Sequence, residues 1–172
     1  MPFTAAVEEL LAQAICPVPL IREAFPPPVV SLKVPDAQRL FPDAAQPSAA
    51  LAGLALQLAD WEGSHELAQH IDTPEGSFWH AILHRMEPDE FNSNYWFRKV
   101  GQHGIFPELL ADAKSILATS PVDGWQMADR WQPRLFHTWI REAVETKDPR
   151  KHTVAVAIQN AELRRLFMYS AK

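Results

Sequence analysis

The chain has 172 residues, of which 47% are apolar and 22% charged, and its formal net charge is −5 with its seven histidines counted as neutral. This length fits one globular domain, which can bury a sufficient core without a disulfide or a structural metal. The acidic balance argues against nucleic acid as a partner, because binding phosphates needs clustered Lys and Arg.

Cysteine content and hydropathy bear on the cellular compartment. The single cysteine, Cys16, excludes an intramolecular disulfide and favours a reducing compartment. Its apolar neighbours predict a buried thiol. Acidic Glu8 and Glu9 stand where an export signal would carry Lys or Arg, and the longest apolar stretch, residues 49–56, is far shorter than a membrane span. We therefore expect a cytoplasmic protein with no membrane partner.

The N-terminal part divides into a helix and a proline-rich arm. Thr4 as N-cap, followed by an apolar stripe, predicts a helix over residues 4–15. Eight of the fifteen prolines lie in residues 17–47 and preclude a long helix there. The arm is too apolar for a disordered tail, so we expect it to be ordered and extended; a partner-binding proline-rich tail is the alternative. Short elements are expected within it: helical turns near residues 21–25 and 36–41, and a strand within 28–34.

The remaining chain, residues 48–170, is predicted to be a helical core. Helix starts are marked by capping residues and by proline at the first helical position, as in Thr73-Pro74. Gly101 is expected to end one helix in a left-handed conformation. The predicted helices span residues 48–61, 63–71, 74–86, 89–100, 106–119, 133–147 and 151–168. The fold class is therefore all-α, either a single-domain helical bundle or a stack of helical hairpins, with the ordered arm at its N-terminal end.

Histidine is concentrated in the middle of the chain. His80, His84 and Glu87 are spaced so that they share one side of a helix. Two histidines four residues apart can bind one divalent metal, with Glu87 as a third ligand, and the same three groups are candidates for acid–base catalysis. His65 would join them if the two helices formed an antiparallel hairpin. The zinc-protease pattern is absent because Ala81 follows His80. Alternatively, these histidines are ordinary surface or core residues.

A second group of residues suits a ligand-binding groove. Arg85 and Arg98 could hold an anionic ligand, and the aromatic run would supply an apolar wall, since three successive aromatic residues cannot all face one core. His103 follows a helix end, where the helix dipole favours its charged form. The predicted ligand-binding residues are Arg85, Asp89, Asn92, Tyr95, Trp96, Arg98 and His103. Alternatively, these residues bind no ligand, and ion pairs such as Arg85–Glu87 or Arg98–Asp89 fix the turn between two helices.

The same region carries a specific pattern. It consists of W-x-x-x-H at residues 61–65, W-H-x-I-x-H-R-x-E-x-D at 79–89 and N-x-x-Y-W-F-R-x-V-G-x-H at 92–103. This pattern resembles a family of bacterial and fungal helical proteins without an assigned function, so the resemblance implies a small helical fold but no particular chemistry. Residues 95–101 are also similar to the helical hairpins of Sel1-like and tetratricopeptide repeats, although the motif occurs once and such repeats need about three units.

Three classes of function remain open at this point. The first, which the sequence favours, is a module that binds a small molecule or a peptide in the His/Arg/aromatic groove. The second is a His-rich, metal-dependent, hydrolase-like enzyme built from His65, His80, His84 and Glu87. The third is a structural or interaction protein in which the pattern only specifies the fold. The sequence favours no particular substrate and no particular oligomeric state.

Overall fold

A computed structural model describes residues 3–172. Within this range the chain forms one short 3-10 turn at Arg22–Ala24, no β-strand and nine α-helices: α1 (Ala5–Leu11), α2 (Asp36–Leu40), α3 (Pro47–Gln57), α4 (Trp61–Ala68), α5 (Pro74–Met86), α6 (Glu90–Val100), α7 (Phe106–Thr119), α8 (Pro133–Thr146) and α9 (Pro149–Ser170). The predicted all-α class is confirmed. None of the helices in the described range has the length and hydropathy needed to cross a membrane.

The N-terminal arm is ordered and lies against α9. The backbone N–H of Val18 donates to the Asn160 side chain over 2.9 Å, and the Gln159 amide donates to the Pro19 carbonyl over 2.8 Å. Thr4 caps α1 as predicted, but the helix ends at Leu11 rather than at residue 15. The strand expected within 28–34 is wrong, because this segment of the arm contacts helices rather than another extended segment: the Val29 N–H donates to the Leu58 carbonyl.

Cys16 departs from its expected environment. The prediction of a buried thiol is wrong, because Cys16 is exposed where the chain leaves α1 and enters the arm. Its apolar sequence neighbours do not enclose it, since the following residue that reaches the core is Val18.

The break between the two helices predicted over residues 48–61 and 63–71 lies earlier in the chain than expected. α3 ends at Gln57, shortly before Ala59 with its φ of 66°, and α4 begins at Trp61 after the Asp60 cap, two residues earlier than predicted. α3 is the central helix, with every residue from 49 to 56 buried. Gly53 allows this packing, because a Cβ there would lie 2.4 Å from the Trp79 ring. Other helix limits differ from prediction by a turn or less, such as α9, which begins at Pro149 after the Asp148 cap.

Two successive helical hairpins, α3–α4 and α5–α6, share the same turn. Asp60 caps α4 by accepting from the Gly63 N–H, and Asp89 caps α6 by accepting from the Asn92 N–H. The backbone N–H of each aspartate donates over 2.9 Å to the carbonyl five residues before it. Asp89 follows Asp60 by 29 residues. The two hairpins are therefore structural repeats, which the sequence analysis missed because few other residue types recur.

A serine ties the two helices of each hairpin together. The Ser64 hydroxyl donates over 2.8 Å to the Ala52 carbonyl, and the Ser93 hydroxyl donates over 2.9 Å to the Ala81 carbonyl. Ser93 also follows Ser64 by 29 residues, and both are fully buried. α4 then packs on α5, so that the two hairpins stack, while α9 closes the bundle against α3, α7 and α8.

Candidate metal centre

Three histidine side chains meet where the first hairpin packs on the second. His65 lies on α4, and His80 and His84 lie one turn apart on α5. The Nε2 atom of His80 is 3.2 Å from Nε2 of His65 and 3.1 Å from Nε2 of His84. The three ligand atoms lie within 4.8 Å of one another, the one such group of His, Cys, Asp or Glu side chains found in residues 3–172. We call these residues the histidine cluster.

Local sequence explains why these side chains converge. A spacing of four residues places His80 and His84 on the same side of α5. The Thr73 cap and Pro74 at the first helical position fix the start of that helix. On α4, the neighbouring Ser64 is anchored to α3, which sets the rotation that turns His65 toward α5. The predicted contact between α4 and α5 thus brings His65 beside the other two histidines.

Two tryptophans flank the histidine cluster. Trp61 stacks on His65 with ring centroids 5.1 Å apart, and Trp96 lies 4.2 Å from the His80 ring. A cation also lies over each tryptophan ring, with the Arg22 guanidinium 4.3 Å from the Trp61 ring centre and the Lys99 ammonium 4.3 Å from the Trp96 ring centre. The aromatic faces restrict the imidazole orientations and exclude water from two sides of the cluster.

Burial favours the neutral form of His65 and His80 in the cluster. Burial, followed by the neighbouring His65 and His84 and then Lys99, lowers the pKa of His80 to about 3. Burial and then His84 lower the pKa of His65 as well, against an opposite effect of the nearby glutamates. A neutral imidazole has a free lone pair, which is the state that binds a metal ion.

Glu87 occupies a different place from the one predicted for a third ligand. Its Oε2 atom lies 3.1 Å from Nδ1 of His84, on the side of the ring opposite to the cluster. Its Oε1 atom accepts a hydrogen bond from Arg22 over 3.2 Å, and Arg22 also pairs with Glu62. A carboxylate at Nδ1 holds that proton on the outer nitrogen and leaves Nε2 as the acceptor. Glu87 therefore orients His84, and the group of convergent ligands consists of the three histidines.

Hydrogen bonds between the imidazoles do not explain why all three histidine side chains converge. An imidazole nitrogen has one in-plane hydrogen or one lone pair, so His80 Nε2 can make a straight N–H···N bond to only one of its two neighbours. One metal ion, in contrast, accepts all three lone pairs. Nitrogen ligands at 2.0–2.1 Å around tetrahedral zinc lie roughly 3.3 Å apart, close to the 3.1 and 3.2 Å found here.

The predicted ligand-binding residues lie in several separate environments. Arg85 is buried and pairs with Glu162 on α9 rather than with Glu87. Asp89 accepts from the Asn92 side chain and caps α6, so the expected Arg98–Asp89 ion pair is also wrong. Of the aromatic run only Phe97 reaches the core; Tyr95 is exposed beside Arg98, and Trp96 contacts the histidine cluster.

His103 lies far from the histidine cluster, near the C-terminal end of α9. It packs 4.8 Å from the Tyr169 ring, and its Nε2 atom is 3.6 Å from the Glu75 carboxylate. The expectation of a charged histidine at a helix end is wrong in direction, because burial lowers the pKa of His103 and Glu75 only partly offsets it. Gly101 ends α6 with the expected positive φ, of 63°, but its ψ of −130° is not that of the predicted left-handed conformation.

Trp61 contacts the cluster through His65, and Arg22 contacts Trp61 and Glu87, but neither was among the predicted site residues. The position of Trp61, four residues before His65, is a signal that the sequence contained, whereas nothing local connects Arg22 with α4 and α5. No protein-family model, no curated protein and no solved structure matches this chain. Its function has to be inferred from the geometry of its own residues.

Proposed function

We propose that this protein binds one divalent transition metal ion, with zinc as the favoured metal, through the Nε2 atoms of His65, His80 and His84. The observation that carries the proposal is that three imidazoles from two helices converge, with their ligand nitrogen atoms within 4.8 Å of one another. Nitrogen ligands select metals such as zinc, copper and nickel over magnesium or calcium, which prefer oxygen.

The ligand number favours a reactive rather than a purely structural metal. Structural zinc sites are usually closed by four protein ligands, whereas catalytic sites use three and leave a position for water. Three imidazole ligands, which bind a metal in their neutral form, would leave the ion with its full positive charge. Such an ion lowers the pKa of bound water to about 7 and would supply hydroxide near neutral pH. Half-buried His65 gives the cluster access to solvent. We therefore place the protein among metal-dependent enzymes of hydrolase type, acting on a small molecule or a peptide.

The first test is metal binding by chelator-treated protein purified without a His-tag. Titration with Zn²⁺ should show one site by calorimetry and an increase in melting temperature. A ligand at about 100 times its Kd stabilises the folded state by roughly 2.7 kcal/mol. His84→Ala and His80→Ala should each abolish binding. His152→Ala, which changes an exposed histidine on α9, is the matched control and should bind as the parent does. Equal binding by all four proteins would refute the site.

The second test concerns the open coordination position. The zinc form should hydrolyse an activated ester, 4-nitrophenyl acetate, faster than the metal-free form, with a rate that rises as the bound water ionises near pH 7. The His84→Ala variant with added Zn²⁺ is the control for free metal ions. Stoichiometric zinc without any such rate would assign the metal a structural role.

We also propose a cytoplasmic location and a tetratricopeptide-like repeat for this protein. The composition and the single cysteine favour a cytoplasmic location. The two hairpins with equivalent Asp60 and Asp89 turns support a tetratricopeptide-like interpretation of residues 47–100.

A further inference from the structure

A second cluster of buried polar groups surrounds a small cavity away from the histidine cluster. The cavity has a volume of about 200 Å³ and lies between α8 and the α5–α6 turn, with the proline-rich arm closing one side. Arg85 and His137 supply its buried polar lining, and Ile21, Ile140 and Val144 supply apolar walls. We call it the Arg85–His137 cavity.

Arg85 is only partly satisfied by the protein. It is 1% exposed, and its Nη2 atom donates to Glu162 over 2.5 Å. Its Nε and Nη1 atoms are buried without a hydrogen-bond partner. A guanidinium carries five N–H donors, and leaving buried donors of a charged group unpaired costs free energy. The side chain is fixed by the ion pair and by the Phe136 ring 4.9 Å away, so it cannot turn toward solvent to satisfy them.

His137, on α8, also has a buried polar atom without a hydrogen-bond partner. It is 4% exposed, and its Nδ1 atom is buried without a partner. Burial, and then the charge of Arg85, lower the pKa of His137 to about 4, so a neutral imidazole stands close to the guanidinium. Two unpartnered buried groups on one cavity indicate a polar guest that accepts hydrogen bonds.

We propose that the Arg85–His137 cavity binds a small monocarboxylate with a short aliphatic chain. The carboxylate would accept from the free N–H groups of Arg85 and from the imidazole, while the chain would pack against Ile140 and Val144. A carboxylate suits a guanidinium because charge-assisted hydrogen bonds are the strong ones. The acidic residues at the rim, Glu90 and Glu145, disfavour multiply charged anions such as phosphate, and Glu90 is itself paired with Arg141 over 2.6 Å.

The test uses propionate as the probe, titrated into the full-length protein at constant ionic strength and followed by ligand-observed NMR and by melting temperature. Sodium chloride controls for a general anion effect, and propionamide, which has the same shape without charge, controls for filling of the cavity. We expect saturable binding of propionate and binding of propionamide that is weaker by roughly tenfold or more, as the loss of a charged hydrogen bond predicts.

Two variants connect the binding to the cavity. Val144→Phe fills the cavity from a partly exposed position, and His137→Phe removes the imidazole nitrogen while keeping a ring; both should weaken propionate binding by about tenfold or more. Val156→Phe, at another partly exposed valine outside this cavity, should leave binding unchanged. Equal effects of propionate and chloride, no saturation by propionate, or unchanged binding by Val144→Phe would each overturn the proposal and leave ordered water as the occupant.

Discussion

Replacing Arg85 with methionine would leave the Glu162 carboxylate without its ion-pair partner in the core. Both side chains are fully buried, and the Nη2–Oε2 distance is 2.5 Å. Glu162 Oε1 has no partner of its own, so no other group would compensate the charge. Breaking a buried pair from one side costs about 3–5 kcal/mol. We expect Arg85→Met to lower the free energy of unfolding by that amount at pH 7. Urea unfolding of the parent protein and of Arg85→Met, followed by far-UV circular dichroism at pH 7, measures this loss of stability.

A second substitution separates the charge from the packing. The double variant Arg85→Met/Glu162→Met removes both charges of this pair, and replacing a buried ion pair by apolar residues is often neutral or stabilising. We expect the double variant to regain most of the stability lost by Arg85→Met. If its loss of stability equalled the sum of the losses in the two single variants, the two side chains would not interact and the reasoning would be refuted.

Three further predictions concern single positions. Burial lowers the pKa of His137 to about 4, so between about pH 6.5 and 4 the unfolded state binds a proton more readily than the folded state, and stability falls as the pH is lowered through this range. In urea unfolding, His137→Phe should remove up to about 3 kcal/mol of that loss. Equal pH slopes for the two proteins would contradict it. Gly53→Ala should destabilise by about 1–3 kcal/mol in thermal unfolding despite the better helix propensity of alanine, because the new Cβ would meet buried Trp79 at 2.4 Å; an unchanged melting temperature would show that the ring can move. Asp60→Ala removes the bond to the Gly63 N–H and should cost about 1–2 kcal/mol, measured in the same way, whereas no loss would mean that the cap is dispensable.

Helix starts were predictable because capping chemistry is local. Thr73, Pro74 and Asp148 act within one turn of their own position, so the sequence alone indicates where α5 begins and where α8 gives way to α9. A break between α3 and α4 was expected, but its position was not predictable in the same way. The apolar pattern continues past Gln57, and the left-handed conformation of Ala59 is imposed by the packing of the hairpin, since alanine does not favour it.

The candidate site was predictable in part for the same reason. The pairing of His80 with His84 follows from helical spacing, and the contact with His65 follows from a short connection between two helices. The environment of Arg85 could not be predicted, because its partner Glu162 is 77 residues away and on another helix. Glu87 has the right spacing for a ligand, yet its carboxylate reaches Nδ1 of His84 rather than the shared Nε2 atoms, a choice that depends on Arg22 in the arm.

The histidine cluster draws its members from both structural repeats: His65 comes from the second helix of the first hairpin, and His80 and His84 come from the first helix of the second. An ion held by all three would join the hairpins across their interface. Its affinity would then depend on the angle at which they stack, and by reciprocity the ion would restrict that angle. A substitution that shifts one hairpin relative to the other, even one far from any imidazole, would therefore change the metal affinity. Metal affinity would then be a measure of how the two hairpins are stacked.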